Sequence, residues 1–161
     1  MFLRGLASWC VLLVAAIPVR AHRVGLRFAL PLHGFMSQYV AEISVGTPPQ
    51  RFQVLFDSGS CNTWLFSSEC NSITCKRHRR FDPRQSSTHL PNGTELTVRY
   101  GSGSIESVLA YDDFRVGSAR IRRQAFAEVY ATQGNAFLTG IIDGIVGLAL
   151  PKMSVASIRP G

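Results

Sequence analysis

A single aspartate, Asp57, stands where an apolar run meets a loop of small polar residues. Residues 54–56 are Val-Leu-Phe, and Ser58, Gly59 and Ser60 follow the acid. A buried strand that ends in this way places a carboxylate at the edge of a core, where desolvation and hydrogen bonds set its pKa. The two serine hydroxyls can bond to a carboxylate, and the glycine permits a turn that a side chain would block. The same three residue types, Asp, Ser and Gly, also build ordinary turns. The flanking sequence therefore has to show whether Asp57 is a catalytic residue or part of an ordinary turn.

The residues before Asp57 follow a period of two and predict a β-hairpin. Tyr39, Ala41, Ile43 and Val45 alternate with polar residues, residues 46–50 read Gly-Thr-Pro-Pro-Gln, and the alternation resumes over residues 52–56. A break rich in glycine and proline between two alternating segments is typical of a turn between strands. We therefore expect the second strand of this hairpin to deliver Asp57.

The rest of the chain also predicts short strands and no long amphipathic helix. Residues 96–100 alternate, Gly101-Ser102-Gly103 form a turn, and residues 105–111 continue as a strand. Further segments with strand character are residues 114–116, 125–129 and the apolar, central run 144–150. The predicted fold class is all-β, in a single sheet-rich lobe.

The first 21 residues have the pattern of a secretory signal. Arg4 precedes an apolar stretch over residues 6–17, and small residues flank a cleavage site near Ala21. The alternative is a membrane anchor, but the apolar stretch falls short of the ~20 residues that span a bilayer. We expect residues 22–34 to form a short pro-segment or extension, residues 35–161 to form one domain without a stable membrane span, and the chain to enter the secretory pathway.

The formal net charge of +7 is compatible with an anionic partner, but no nucleic-acid-binding motif accompanies it. We therefore expect no nucleic acid partner. The densest basic run, residues 76–80, is interpreted as a solvated loop. The alternative is attraction to acidic substrates or to membrane head groups.

Three cysteines lie beyond the signal stretch. In an oxidising compartment, a local disulfide between Cys70 and Cys75 is their simplest fate. Zinc binding by these two residues with His78 and His89 is the alternative, although the spacing fits no common zinc module. Cys61 then has no partner and is interpreted as a small buried thiol, with an intermolecular bridge as the alternative.

A glycosylation sequon is present at Asn92-Gly93-Thr94. It lies in a stretch containing proline and glycine, which predicts a surface loop. Asn92 is therefore a candidate for glycosylation if the chain is secreted.

The flanks of Asp57 and five further segments, taken in order, resemble one family: the pepsin-like, cathepsin D-like aspartic endopeptidases. The loop around Asp57 resembles the family's active-site sequence, with Ser58 in the usual threonine position and Cys61 in a serine position. The other matching segments are the opening strand and its turn 39–50, the small disulfide loop 70–75, the segment 81–88, the flap tip 100–103 and the strand 143–148.

The resemblance implies roles for particular residues. Asp57 would be one of two facing carboxylates that share a proton, so that one activates water and the other acts as an acid. Ser60 would orient Asp57 by a hydrogen bond, and Tyr100 would close over a peptide substrate on the mobile tip Gly101-Ser102-Gly103. Trp64 would brace Tyr100 through an aromatic contact, or be a plain core residue. No cofactor and no metal are implied.

The chain departs from the family in having one Asp-Thr/Ser-Gly triplet where two lobes each supply one. Asp143-Gly144 is not a second copy, because the hydroxyl residue is missing. We therefore interpret residues 35–161 as a first lobe, truncated, that needs a second lobe to complete the pair and is inactive alone. Two other hypotheses are a homodimer of retroviral type and a non-catalytic lobe that binds peptides or regulates a relative.

Overall fold

The computed structural model of the chain describes residues 33–35, 38–101, 103–134, 137–138 and 140–149. Eight strands account for most of these residues. They are β1 (His33–Phe35), β2 (Gln38–Val45), β3 (Gln50–Asp57), β4 (Trp64–Phe66), β5 (Leu90–Tyr100), β6 (Gly103–Val116), β7 (Ala119–Gly134) and β8 (Gly144–Gly147). The predicted all-β fold is confirmed.

The strands form one mixed sheet in the order β1-β2-β3-β8-β4-β7-β6-β5, and β2 also pairs with β6. Most pairs are antiparallel, but β3 pairs with β8 and β4 pairs with β7 in parallel. Because the sheet brings β8 between β3 and β4, the apolar segment that begins at Gly144 is central, as predicted. It ends as a strand at Gly147, before residue 150.

The predicted hairpin before Asp57 is confirmed by β2 and β3, which pair from Val40 with Leu55 to Val45 with Gln50. The turn between them contains a cis peptide bond between Thr47 and Pro48. Gly46 has a φ of 88°, which is the left-handed conformation that glycine adopts at little cost.

Three expected short strands are parts of two longer ones. Residues 105–111 and 114–116 belong to one strand, β6, and residues 125–129 belong to β7. The interruption that suggested separate strands is a register shift between Asp112 and Phe114, where the β6–β7 ladder is irregular. A bulge of this kind bends a strand without ending it.

The core consists of two clusters of buried apolar side chains. One is built around Trp64, Phe66, Ile105 and Val129, together with the disulfide. The other contains four phenylalanines, at positions 52, 81, 114 and 126. In the described residues, α-helix is limited to α1 (Ile73–Lys76), and none is long and apolar enough to cross a membrane.

The predicted signal segment 1–21 lies outside the described residues, as does most of the predicted extension 22–34. The boundary that we placed between residues 34 and 35 falls inside β1. This strand pairs with β2, Gly34 lying opposite Tyr39 and Phe35 opposite Gln38.

Candidate active site

Asp57 is the last residue of β3, and backbone hydrogen bonds hold the loop that follows it. Its Oδ1 accepts a 2.8 Å hydrogen bond from the amide of Gly59. Its carbonyl accepts a 2.8 Å bond from the amide of Leu148, and the carbonyl of Ser60 accepts a 2.9 Å bond from Ala149. The segment after β8 therefore fixes the loop by main-chain hydrogen bonds. Asp57 itself is half-exposed.

Two glycines of β8 let this strand approach the loop closely. A Cβ at Gly147 would lie 2.5 Å from the carbonyl carbon of Cys61 and 2.6 Å from the amide nitrogen of Asn62. A Cβ at Gly144 would overlap the carbonyl oxygen of Trp64. Backbone atoms cannot move aside as the end of a long side chain can. The close packing of β8 around the Asp57 loop therefore requires glycine at positions 144 and 147.

The hydrogen bond expected from Ser60 to Asp57 is not formed in the structure. The Ser60 Oγ is buried and has no partner among the described residues. The bond to Oδ1 comes from the backbone of Gly59, because the tight turn points this amide back at the carboxylate. The Ser58 side chain is exposed beside it.

Tyr100 ends β5, at the turn into β6, and contacts Trp64 through a hydrogen bond. The Nε1 of Trp64 donates to the Tyr100 hydroxyl over 2.8 Å. The expected contact between these residues thus takes the form of a polar bond, made by an indole that is completely buried. Gly101 is exposed at the turn, Gly103 begins β6, and Ser102 lies outside the described residues.

The pKa of the Tyr100 phenol is raised, mainly because burial disfavours the phenolate. The hydrogen bond from Trp64 acts in the opposite direction. Electrostatic interactions with Asp57 and, to a smaller extent, with Cys61 add to the rise.

Phe137 was not identified from the sequence, although it connects the aromatic residues of this region. Its ring makes edge contacts with Trp64 at 5.2 Å and with Tyr100 at 5.5 Å between centroids. Its carbonyl is 2.9 Å from the Nε2 of His78, whose ring stacks on Phe66. No local pattern signals this role, because each contact joins residues far apart in the chain.

The predicted disulfide between Cys70 and Cys75 is present. Ser72 caps α1 inside this loop by accepting a hydrogen bond from the Cys75 amide. The zinc alternative is wrong, because the sulfurs of Cys70 and Cys75 are bonded to each other. Cys61 is a free thiol, but it is half-buried where we expected a buried one.

Asn92 is exposed but lies within β5, where we expected a loop. Its Oδ1 accepts bonds from the amide and the hydroxyl of Thr94. A register shift between Pro91 and Glu95 leaves this part of the strand irregular, which explains the loop-like sequence.

Asp143 has a structural environment that differs from that of Asp57. Its side chain is buried and accepts hydrogen bonds from the amides of Gln53 and Arg79, at 2.8 and 2.9 Å. Both carboxylate oxygens are therefore engaged with backbone. This geometry agrees with the interpretation that Asp143 does not act as a second reactive carboxylate.

The family model of the eukaryotic aspartyl proteases matches residues 38–161. The chain belongs to this family. The match includes the whole of the hairpin, the Asp57 loop, the disulfide loop and β8.

Relatives of this aspartyl protease chain include a "Probable vacuolar protease A" of Arthroderma benhamiae, 44% identical over 124 residues, which is 77% of this chain and 31% of the relative. "Cathepsin D" of Gallus gallus is 41% identical over 126 residues, covering 77% and 32%. A "Vacuolar aspartic protease" of Candida albicans is 40% identical over 147 residues, covering 91% and 35%. The chain thus spans about a third of the length of these relatives.

Proposed function

We propose that this chain is the first lobe of an aspartic endopeptidase and that Asp57 is one of its two catalytic carboxylates. The observation that carries the proposal is the position of Asp57, at the end of a central strand and in a loop fixed by backbone bonds, where its charge also acts on the Tyr100 phenol. Membership of the aspartyl protease family supports it. The substrate class would be peptides and proteins.

The chemistry requires a second carboxylate facing Asp57. Two carboxylates at close range cannot both ionise cheaply, so the pair holds one proton between them. The ionised member takes a proton from water, which attacks the peptide carbonyl, and the protonated member donates to the carbonyl oxygen or leaving nitrogen. This behaviour is taken from the pepsin-like enzymes. In this chain, the Gly59 amide would hold Asp57 in position. The Ser60 hydroxyl, which has no partner among the described residues, would form a bond in the assembled site.

The hairpin of β5 and β6 would act as a flap over the substrate. Tyr100 stands at the end of β5, beside the exposed Gly101, and Gly103 begins β6. The bond from buried Trp64 and the ring of Phe137 hold Tyr100 in place, and the exposed Gly101 beside it would approach a peptide.

The second carboxylate would come from a second lobe, since this sequence has one Asp-Ser-Gly triplet. We further propose that residues 1–21 direct the chain to the secretory pathway and that Asn92 carries a glycan. The destination would be outside the cell or an acidic vacuolar or endosomal compartment. Two relatives are named as vacuolar proteases, which supports an acidic compartment.

Lobe complementation tests the proposal. The chain is assayed alone and then with a second lobe that carries Asp-Thr-Gly, using an unfolded protein as substrate at pH 3 to 7. We expect no cleavage by the chain alone at any concentration, and acid cleavage by the two-lobed protein that a statine-type transition-state mimic blocks. Activity of the chain alone that rises more steeply than its concentration would instead indicate the homodimer. Peptide binding without cleavage in the two-lobed protein would indicate the binding lobe.

A further inference from the structure

A row of arginines crosses four neighbouring strands on the outer face of the sheet. Arg51 of β3 lies opposite Ser44 of β2, and Ser44 lies opposite Arg115 of β6. Arg115 in turn lies opposite Arg120 of β7. Directly opposed residues of antiparallel strands project from the same face, so the three guanidinium groups share one surface. With strands ~4.8 Å apart, the row is about 14 Å long.

Two more arginines extend this row. Arg79 lies 3.9 Å from Glu42, which also contacts Arg51 at 3.4 Å. Arg122 lies two residues beyond Arg120 on β7. All five arginines are exposed, and together they form what we name the arginine face: Arg51, Arg79, Arg115, Arg120 and Arg122.

Two carboxylates only partly neutralise the arginine face. Asp113 is nearly buried and is bonded to Arg120 at 2.7 Å, which is the main reason why its pKa is lowered. Glu42 is exposed, and its contacts with Arg51 and Arg79, at 3.4 and 3.9 Å, are long enough for another carboxylate to replace Glu42. A surplus of positive charge therefore remains at Arg115 and Arg122 and, when Glu42 moves away, at Arg51 and Arg79.

We propose that the arginine face binds an acidic polypeptide segment through its carboxylates. Guanidinium groups match carboxylates in geometry, and the contacts of Glu42 and Asp113 show that carboxylates are accepted at this surface. An anionic membrane fits less well, because its continuous negative charge would also repel the carboxylates of Glu42 and Asp113. A polypeptide can place its carboxylates against the arginines and have uncharged residues opposite Glu42 and Asp113.

The acidic segment does not come from the undescribed residues of this sequence. All ten Asp and Glu residues lie within the described part of the chain. The segment must therefore lie outside this sequence. The arginine face is also remote from the proposed cleft, since Arg51 precedes Asp57 by six residues along β3, or about 20 Å.

Binding of a fluorescent octaglutamate peptide to the full chain at pH 7 tests the proposal. The variant Arg51→Glu/Arg115→Glu is compared with Lys76→Glu/Arg77→Glu, which makes the same change in charge at exposed residues of the basic run. We expect the first variant to weaken binding by about tenfold or more and the second by less than about twofold. Binding by the native chain should weaken as salt is raised from about 50 to 300 mM. The milder variant Arg51→Gln/Arg115→Gln should give an intermediate loss and guards against a folding defect.

Three results would overturn the proposal. The first is absence of peptide binding at low salt. The second is an equal or larger loss in the Lys76→Glu/Arg77→Glu control, which would assign the peptide to Lys76 and Arg77 in place of the arginine face. The third is tight binding to phosphatidylserine vesicles through Arg51 and Arg115 without binding of octaglutamate, which would make the arginine face a membrane contact.

Discussion

The indole nitrogen of Trp64 and the hydroxyl of Tyr100 form a 2.8 Å hydrogen bond between residues 36 positions apart. Trp64 is fully buried in β4, and Tyr100 stands at the end of the β5–β6 hairpin. Because a buried donor without an acceptor is costly, this bond ties the tip of the hairpin to the core. The proposed flap is therefore anchored to the core at Tyr100, next to its turn.

Removal of this bond should destabilise the lobe. We expect Tyr100→Phe to lower the free energy of unfolding by about 1 to 3 kcal/mol, since the Trp64 Nε1 then loses its acceptor. A double-mutant cycle with Trp64→Phe, measured by urea unfolding, should give a coupling energy of about 1 kcal/mol. A coupling energy of zero would show that the two groups do not interact in solution.

Gly147 should not tolerate a side chain. Its Cβ would lie 2.5 and 2.6 Å from backbone atoms of Cys61 and Asn62, so we expect Gly147→Ala to cost at least about 2 kcal/mol of stability. The matched control is Gly101→Ala, whose added Cβ meets no atom within 4 Å and should change stability by less than about 1 kcal/mol. Similar stabilities of the two variants in thermal unfolding would contradict the close approach of β8 to the Asp57 loop.

Loss of the disulfide should weaken the lobe moderately. A sequence separation of five residues closes a short loop, for which the chain-entropy model gives about 2 kcal/mol. We expect Cys70→Ala/Cys75→Ala to lose about this amount in urea unfolding. Cys61→Ala serves as the control, because this thiol is free and half-buried, and it should lose less than about 1 kcal/mol. A greater loss in the control would point to a structural role for Cys61.

Asp82 should contribute stability in a defined range of pH. Its pKa is lowered from 3.8 to about 2, first by the hydrogen bond from Arg84 and also by Gln85. A lowered pKa means that the carboxylate stabilises the fold above pH 3.8 and that the effect is lost as the pH falls towards 2. We expect Asp82→Asn to reduce the melting temperature by about 2 to 5 °C at pH 5, with a gap that narrows towards pH 2. A gap that is constant over this range would contradict the lowered pKa.

Local patterns in the sequence predicted the features that depend on neighbouring residues. The alternation over residues 39–45 and 52–56 predicted β2 and β3, and with them the position of Asp57 at a strand end. The short spacing of Cys70 and Cys75 predicted their disulfide.

Features that depend on sheet register were not predictable from such patterns. The contacts of Phe137 with Trp64 and Tyr100, and the alignment of Arg51 with Arg115 across Ser44, follow from which strands pair. The unbonded hydroxyl of Ser60 was also unexpected, because the same residue types allow either a side-chain or a backbone donor to the carboxylate of Asp57.

Peptide cleavage by a two-lobed protein that contains this chain tests most directly whether Asp57 is catalytic. The rate of cleavage is measured as a function of pH for the protein with Asp57 and for the Asp57→Asn variant. The amide keeps the size of the carboxylate but cannot act as a base, so we expect acid activity to fall by at least about a thousandfold while the fold is retained. The control Asp82→Asn changes a carboxylate outside the Asp57 loop in the same way and should keep most of the activity at pH 5. Cleavage by the Asp57→Asn protein at a rate close to that of the native protein would contradict the catalytic role of Asp57.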